Sequence, residues 1–187
     1  RAFAGSLFAS GAPDGPDSPS ASRHRRLSAV GHHPDLLEVE PEGRSLLVAD
    51  AREITVEGWR SPVEATHKVV VVDRFDTAEP EAVASLLKTI EEPPATTVFV
   101  LLSEEAPDSH VTVASRCVRV DLPPLTDEVV SDVLKADGVP SDRATELAEA
   151  AAGSLSRARL LAQDPAFHGR RNAWHSVPSR LDGTGAA

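Results

Sequence analysis

Apolar residues fall along this chain in two rhythms, and the change between them divides it. Up to about residue 122 unbroken apolar runs alternate with stretches of helical spacing, whereas beyond residue 125 only helical spacing persists. Lys68-Val-Val-Val-Val-Asp73 has no polar alternation, which predicts a strand covered on both faces, as in the middle of a parallel sheet. Val83, Leu86, Leu87 and Ile90 recur at i, i+3, i+4 and i+7. They predict a helix entered near Thr77, with Pro80 in its first turn and Pro93-Pro94 as its stop. Thr96 to Leu102 predicts another buried strand, ending at Ser103, and Cys117 to Leu122 a further one, closed by Pro123-Pro124. Strand, helix, strand in this order predicts right-handed crossovers and a parallel sheet.

Ahead of this pattern, residues 1–9 predict a helix with Phe3, Leu7 and Phe8 on one side. Residues 10–22, rich in Gly, Pro and Ser, predict a flexible loop or insertion. Leu36 to Glu40 predicts a short strand, Asp50 to Glu57 a short helix, and residues 104–114 a polar loop. Past Leu125, Thr126 caps a helix through about Ala136, Ser141 starts a second ended by Gly153, and Ser154 to Gln163 form a third. A further helix over 166–180 would use Trp174 as an anchor. The fold class is therefore α/β, with a sheet-bearing domain over 1–124, a three-helix domain over 125–165, and the start of a linker over 166–187.

Composition narrows the function classes. A formal net charge of −10, with lysine only at 68, 88 and 135, argues against gripping nucleic acid by bulk electrostatics. The single cysteine, Cys117, excludes an internal disulfide and a cysteine-rich zinc site, and it fits a reducing, cytoplasmic setting. No apolar run reaches the roughly 20 residues of a membrane span. Arg23 to Arg26 reads as a solvated helix face. His32 and His33 are neighbours on an extended chain, so their side chains diverge and no metal is expected there. The chain starts at Arg1 and contains no methionine, so it is expected to be a piece of a longer reading frame.

Asp73 is the first residue with candidate chemistry. At the carboxyl end of a central parallel strand it lies where α/β folds bind ligands, and either Mg²⁺ binding or capping of the following turn accounts for it. In nucleotide hydrolases of this type the next residue is usually acidic; here it is Arg74.

Taken together, His33-Pro-Asp35, Lys68-Val-Val-Val-Val-Asp73, Ser85-Leu-Leu-Lys-Thr-Ile-Glu-Glu-Pro-Pro94, Ser115-Arg-Cys117 and Gly153-Ser-Leu-Ser-Arg157 resemble the delta-prime clamp-loader family of bacterial DNA polymerase III, which are AAA+ proteins. The resemblance runs over roughly residues 32–163 and implies a P-loop NTPase-like core followed by a helical lid. It places Asp73 at the Walker B aspartate, Ser103 at the sensor-1 position, Arg116 at an arginine finger acting in trans, and Arg157 at the sensor-2 position. It implies ATP-Mg on a neighbouring subunit, none held by this chain, and hetero-oligomeric partners: gamma/tau and delta subunits, the sliding clamp and primed DNA. No Gly-x-x-x-x-Gly-Lys occurs in residues 1–187, and the family's cysteine-rich zinc insertion is replaced by the Gly/Pro/Ser segment. The phosphate loop is expected upstream of Arg1 and a collar domain after Ala187. The implied function is a non-hydrolysing stator that helps load the clamp. Two alternatives stand beside it: an ATP-hydrolysing gamma/tau-type subunit, against which Arg74 speaks, and an unrelated phosphoryl-transfer or receiver-like domain using Asp73, for which no second acidic cluster is well placed.

Overall fold

The computed structural model describes residues 1–104, 110–167, 169–171 and 173–174. It divides into two compact units, Arg1–Arg119 and Val120–Ala187. Three strands form the sheet of the first unit: β1 (Leu36–Val39), β2 (Lys68–Val72) and β3 (Thr97–Leu101), in the order β1-β2-β3 and parallel throughout. The valine run is central because both its faces are covered. Val70 and Val72 pack with Ile54 of α3 (Val48–Gly58) and Val83, Leu86 and Ile90 of α4 (Pro80–Glu91). Val69 turns the other way, onto Ala4 and Phe8 of α1 (Ala2–Ser10). Alternate side chains of one strand thus serve two cores.

The expected helix at α4 is present, started at Pro80 and stopped before Pro93-Pro94, with Val83, Leu86 and Ile90 buried. Three expectations for the first unit need correction. The segment 10–22 is not wholly a loop: α2 spans Pro19–Ala29, because Ser18 Oγ accepts the Ala21 N–H and Pro19 occupies the first turn. Ala21 is fully buried. Within 104–114, Val111–Ala114 forms a single helical turn, α5, while residues 105–109 lie outside the described residues. Cys117–Leu122 is not a strand; Val118 and Leu122 are 92% and 84% exposed. Its alternation suits a strand, but the sheet ends at β3, and among the described residues no neighbouring strand offers it a hydrogen-bond ladder.

The second unit packs α6 (Asp127–Ala136), α7 (Ser141–Ala151) and α8 (Leu155–Gln163) around Val130, Leu134, Leu147 and Ala158. Thr126 and Ser154 accept N–H bonds at the starts of α6 and α8. Trp174 is 74% exposed and does not serve as an anchor; residues 175–187 lie outside the described residues. Among the described residues no helix is long and apolar enough to cross a membrane.

Gly153 ends the turn after α7 with φ +78, and a Cβ there would lie 2.6 Å from Leu125 O and 2.9 Å from Leu125 N. Gly153→Ala therefore meets backbone strain and a backbone clash together. It is expected to destabilise the helical unit by about 3 kcal/mol, read as a lowered thermal midpoint of the full-length protein.

Candidate functional site

Parallel strands bring their carboxyl ends to one edge, so residues that follow the strands collect there. Two of the candidate residues do so. Asp73 follows β2, and its N–H donates to Val39 O at 2.9 Å. Ser103 follows β3, one residue beyond Leu102, whose N–H donates to Val72 O at 2.9 Å. Asp73 and Ser103 therefore share this edge on adjacent strands.

The Asp73 carboxylate is engaged locally. Its Oδ1 accepts the Arg74 N–H at 2.9 Å and caps the turn that leaves β2. Arg74 itself is left-handed, with φ 48 and ψ 43, and opens the 3-10 turn Phe75–Thr77. Its Nη2 donates to Pro41 O, which ties the loop after β1 to the end of β2. Arg74 Nε is buried without a hydrogen-bond partner among the described residues. A guanidinium held on Pro41 O thus directly follows Asp73. One Asp73 oxygen accepts a backbone N–H, and the side chain that follows Asp73 is a cation.

Arg116 lies apart from this edge. Helix α4 starts near the carboxyl end of β2, and its twelve residues lead back to the beginning of β3. That is a rise of about 18 Å. At this far end Arg116 Nε meets Glu91 Oε1 at 2.7 Å. Its Nη1 donates to Thr112 O at 2.6 Å and to Ser115 Oγ at 3.2 Å. The Arg116 side chain is 40% exposed. Arg157 belongs to the helical unit, near the start of α8, where its N–H donates to Ser154 Oγ at 3.3 Å and its side chain is exposed. The fold therefore brings Asp73 and Ser103 together and keeps Arg116 away from them.

Sequence reasoning missed a buried polar cluster around His33-Pro-Asp35. Asp35 is fully buried and accepts three backbone N–H groups, from Val63, Glu64 and Ala65. His33 stacks on Phe8 with ring centroids 4.2 Å apart. His24, His33 and Glu64 each offer a ligand atom within 4.8 Å of the others, the one such trio among the described residues. The hydrogen bonds nevertheless commit His33 at both nitrogens. Its Nδ1 accepts the Asp35 N–H at 3.0 Å, so its Nε2 carries the proton and faces His24 Nδ1 at 2.7 Å. Glu64 is held by Arg23. His24 and His33 are thus joined by a hydrogen bond, and the Glu64 carboxylate beside them is paired with Arg23.

Burial first, and His24 next, lower the His33 pKa from its ordinary 6.5. The unfolded chain therefore takes up this proton at higher pH than the folded one. The stability that His33 contributes is complete above pH 6.5 and is lost as pH falls toward the depressed folded value. Urea midpoints of the full-length protein are expected to fall between about pH 7.5 and pH 5, with a shallower fall in His33→Gln.

Residues 1–126 match the family model described as DNA polymerase III, delta subunit. The chain belongs to this family. Its members are clamp-loader subunits of the kind that the motifs resemble. The chain is 32% identical over 174 residues to DNA polymerase III subunit delta' of Escherichia coli (strain K12), covering 89% of this chain and 52% of that one. It is 32% identical over 118 residues to subunit delta' of Bacillus subtilis (strain 168), with coverages of 63% and 36%. It is also 29% identical over 159 residues to subunit tau/gamma of Haemophilus influenzae, with coverages of 82% and 23%. The chain thus spans 23% to 52% of the length of these relatives. A solved gamma subunit-related protein of Thermotoga maritima aligns at 28% identity with a TM-score of 0.47, over 62% of this chain and 42% of that one. Both delta' and tau/gamma subunits are relatives, so family membership leaves the role of the site to its chemistry.

Proposed function

We propose that this chain is a non-hydrolysing subunit of the DNA polymerase III clamp loader. It supplies Arg116 in trans to ATP-Mg on a neighbouring subunit and helps to load the sliding clamp onto primed DNA. The observation that carries this reading is Arg74, fixed on Pro41 O directly after Asp73, in the place of a water-orienting acid. The separation of Arg116 from Asp73 supports action on another chain's nucleotide: it sits at the far end of α4 from this chain's own strand-end site. In this reading the chain itself holds no ATP-Mg and no zinc. Ser103 and Arg157 occupy sensor positions, and the gamma/tau and delta subunits are its partners in a hetero-oligomer.

The test is ATP hydrolysis by the full-length protein, first alone and then reconstituted with its partner subunits and primed DNA. Alone it is expected to show no turnover above background. Turnover by the isolated protein would instead favour the tau/gamma-type reading that the Haemophilus influenzae relative allows. In the complex, Arg116→Ala is expected to abolish most of the hydrolysis at the site it faces.

A further inference from the structure

An arginine that acts on a neighbour's phosphate has to be held at the right angle before the neighbour arrives, because its long side chain has many rotamers. Glu91 is placed to do this. It is the last residue of α4, where the carbonyl ends of the helix disfavour a carboxylate, so helix stability does not account for it. Pro93 and Pro94 follow after Glu92 and fix where the helix stops. From that position Glu91 Oε1 meets Arg116 Nε at 2.7 Å, while Thr112 O and Ser115 Oγ take Nη1. Nη1 is thus hydrogen-bonded within this chain, and Nε is ion-paired there. Among the described residues Nη2 has no partner, and the side chain remains 40% exposed.

We infer that Glu91 is a positioning residue for Arg116: it clamps Nε so that Nη2 is presented outward as the donor to a phosphate oxygen of the neighbouring subunit. The inference rests on the arginine-finger reading above.

The test uses the full-length protein reconstituted with its partner subunits and primed DNA. It compares kcat and KM for ATP in wild type, Glu91→Ala, Glu91→Gln, Glu91→Asp, Arg116→Ala and the double variant Glu91→Ala/Arg116→Ala. Glu91→Ala is expected to lower kcat about 5- to 10-fold with KM unchanged, as a misaligned catalytic group does. Glu91→Gln keeps an acceptor oxygen at the same reach and is expected to stay near wild type. Glu91→Asp falls short of Nε and is expected to behave like Glu91→Ala. In the Arg116→Ala background, Glu91→Ala is expected to change nothing further. A wild-type kcat in Glu91→Ala alongside a collapsed Arg116→Ala would overturn the positioning role and leave the finger standing. An equal loss from Glu91→Ala with and without Arg116 would overturn it as well. A wild-type rate in Arg116→Ala would remove the finger itself and this inference with it. If Glu91→Ala fails to assemble, the contrast between Glu91→Gln and Glu91→Asp decides by the same criteria.

Discussion

In the reconstituted complex, Arg116→Ala is expected to slow ATP hydrolysis at the neighbouring subunit's site by about 10³-fold, the lower end of what an arginine finger contributes. A guanidinium offers a planar fork of donors, and charge that develops on a transferring phosphoryl group is stabilised most by donors already in place. Arg116→Lys keeps the charge but loses the fork, so it is expected to recover only a small part of the rate. The fold itself should tolerate the change. Arg116 and Glu91 are about equally exposed, at 40% and 42%, and such a pair contributes roughly 0–1 kcal/mol to stability. Single-turnover hydrolysis in assembled complexes, with assembly checked by size-exclusion chromatography, separates the two effects. A wild-type rate would sink the finger reading.

Asp35→Ala is expected to have the opposite profile, with a large loss of stability and no direct chemical role. Its carboxylate, fully buried, accepts the N–H groups of Val63, Glu64 and Ala65, the latter two at 2.8 and 2.7 Å. These bonds fasten the segment before β2 to the start of β1, and Ala65 of that segment packs on the core beneath α1. Alanine leaves three donors without their acceptor. Some of them can turn to water, since Val63 is 76% exposed, so the cost is put at about 3 kcal/mol, a large share of a typical domain's stability. Asp35→Asn keeps one carbonyl oxygen but directs an NH₂ group at N–H donors, and it is expected to fall between wild type and alanine. Denaturant unfolding of the full-length protein followed by circular dichroism reads both. Wild-type stability in Asp35→Ala would mean that the segment 63–65 is held by something other than this carboxylate.

What could be read without the structure is what local pattern controls. The valine run of β2, the four-residue apolar stripe of α4, the caps at Thr126 and Ser154, and the stop at Pro93-Pro94 all follow from side-chain period, capping and the missing N–H of proline. The order of these elements was also enough to expect a parallel sheet with Asp73 and Ser103 at its carboxyl edge. The resemblance added Arg116. Composition misjudged residues 19–22, because a Ser-Pro start and one buried alanine outweigh a polar average. The strand expected over Cys117–Leu122 does not form, because a strand exists only beside another strand.

Tertiary structure alone decided which side chains meet. His24 and His33 are nine residues apart, Asp35 and Ala65 thirty, and Arg116 reaches Glu91 across the whole β3 strand and α5. Arg74 reaches Pro41 in the same way, from the end of one strand to the loop after its neighbour. Such pairings depend on chain crossings and strand order, which no local period encodes. By itself the sequence determined that Arg74 follows the strand-end aspartate and that an arginine precedes the single cysteine. The fold determined that the first is held on Pro41 and the second on Glu91, because chain crossings and not local period bring these partners together.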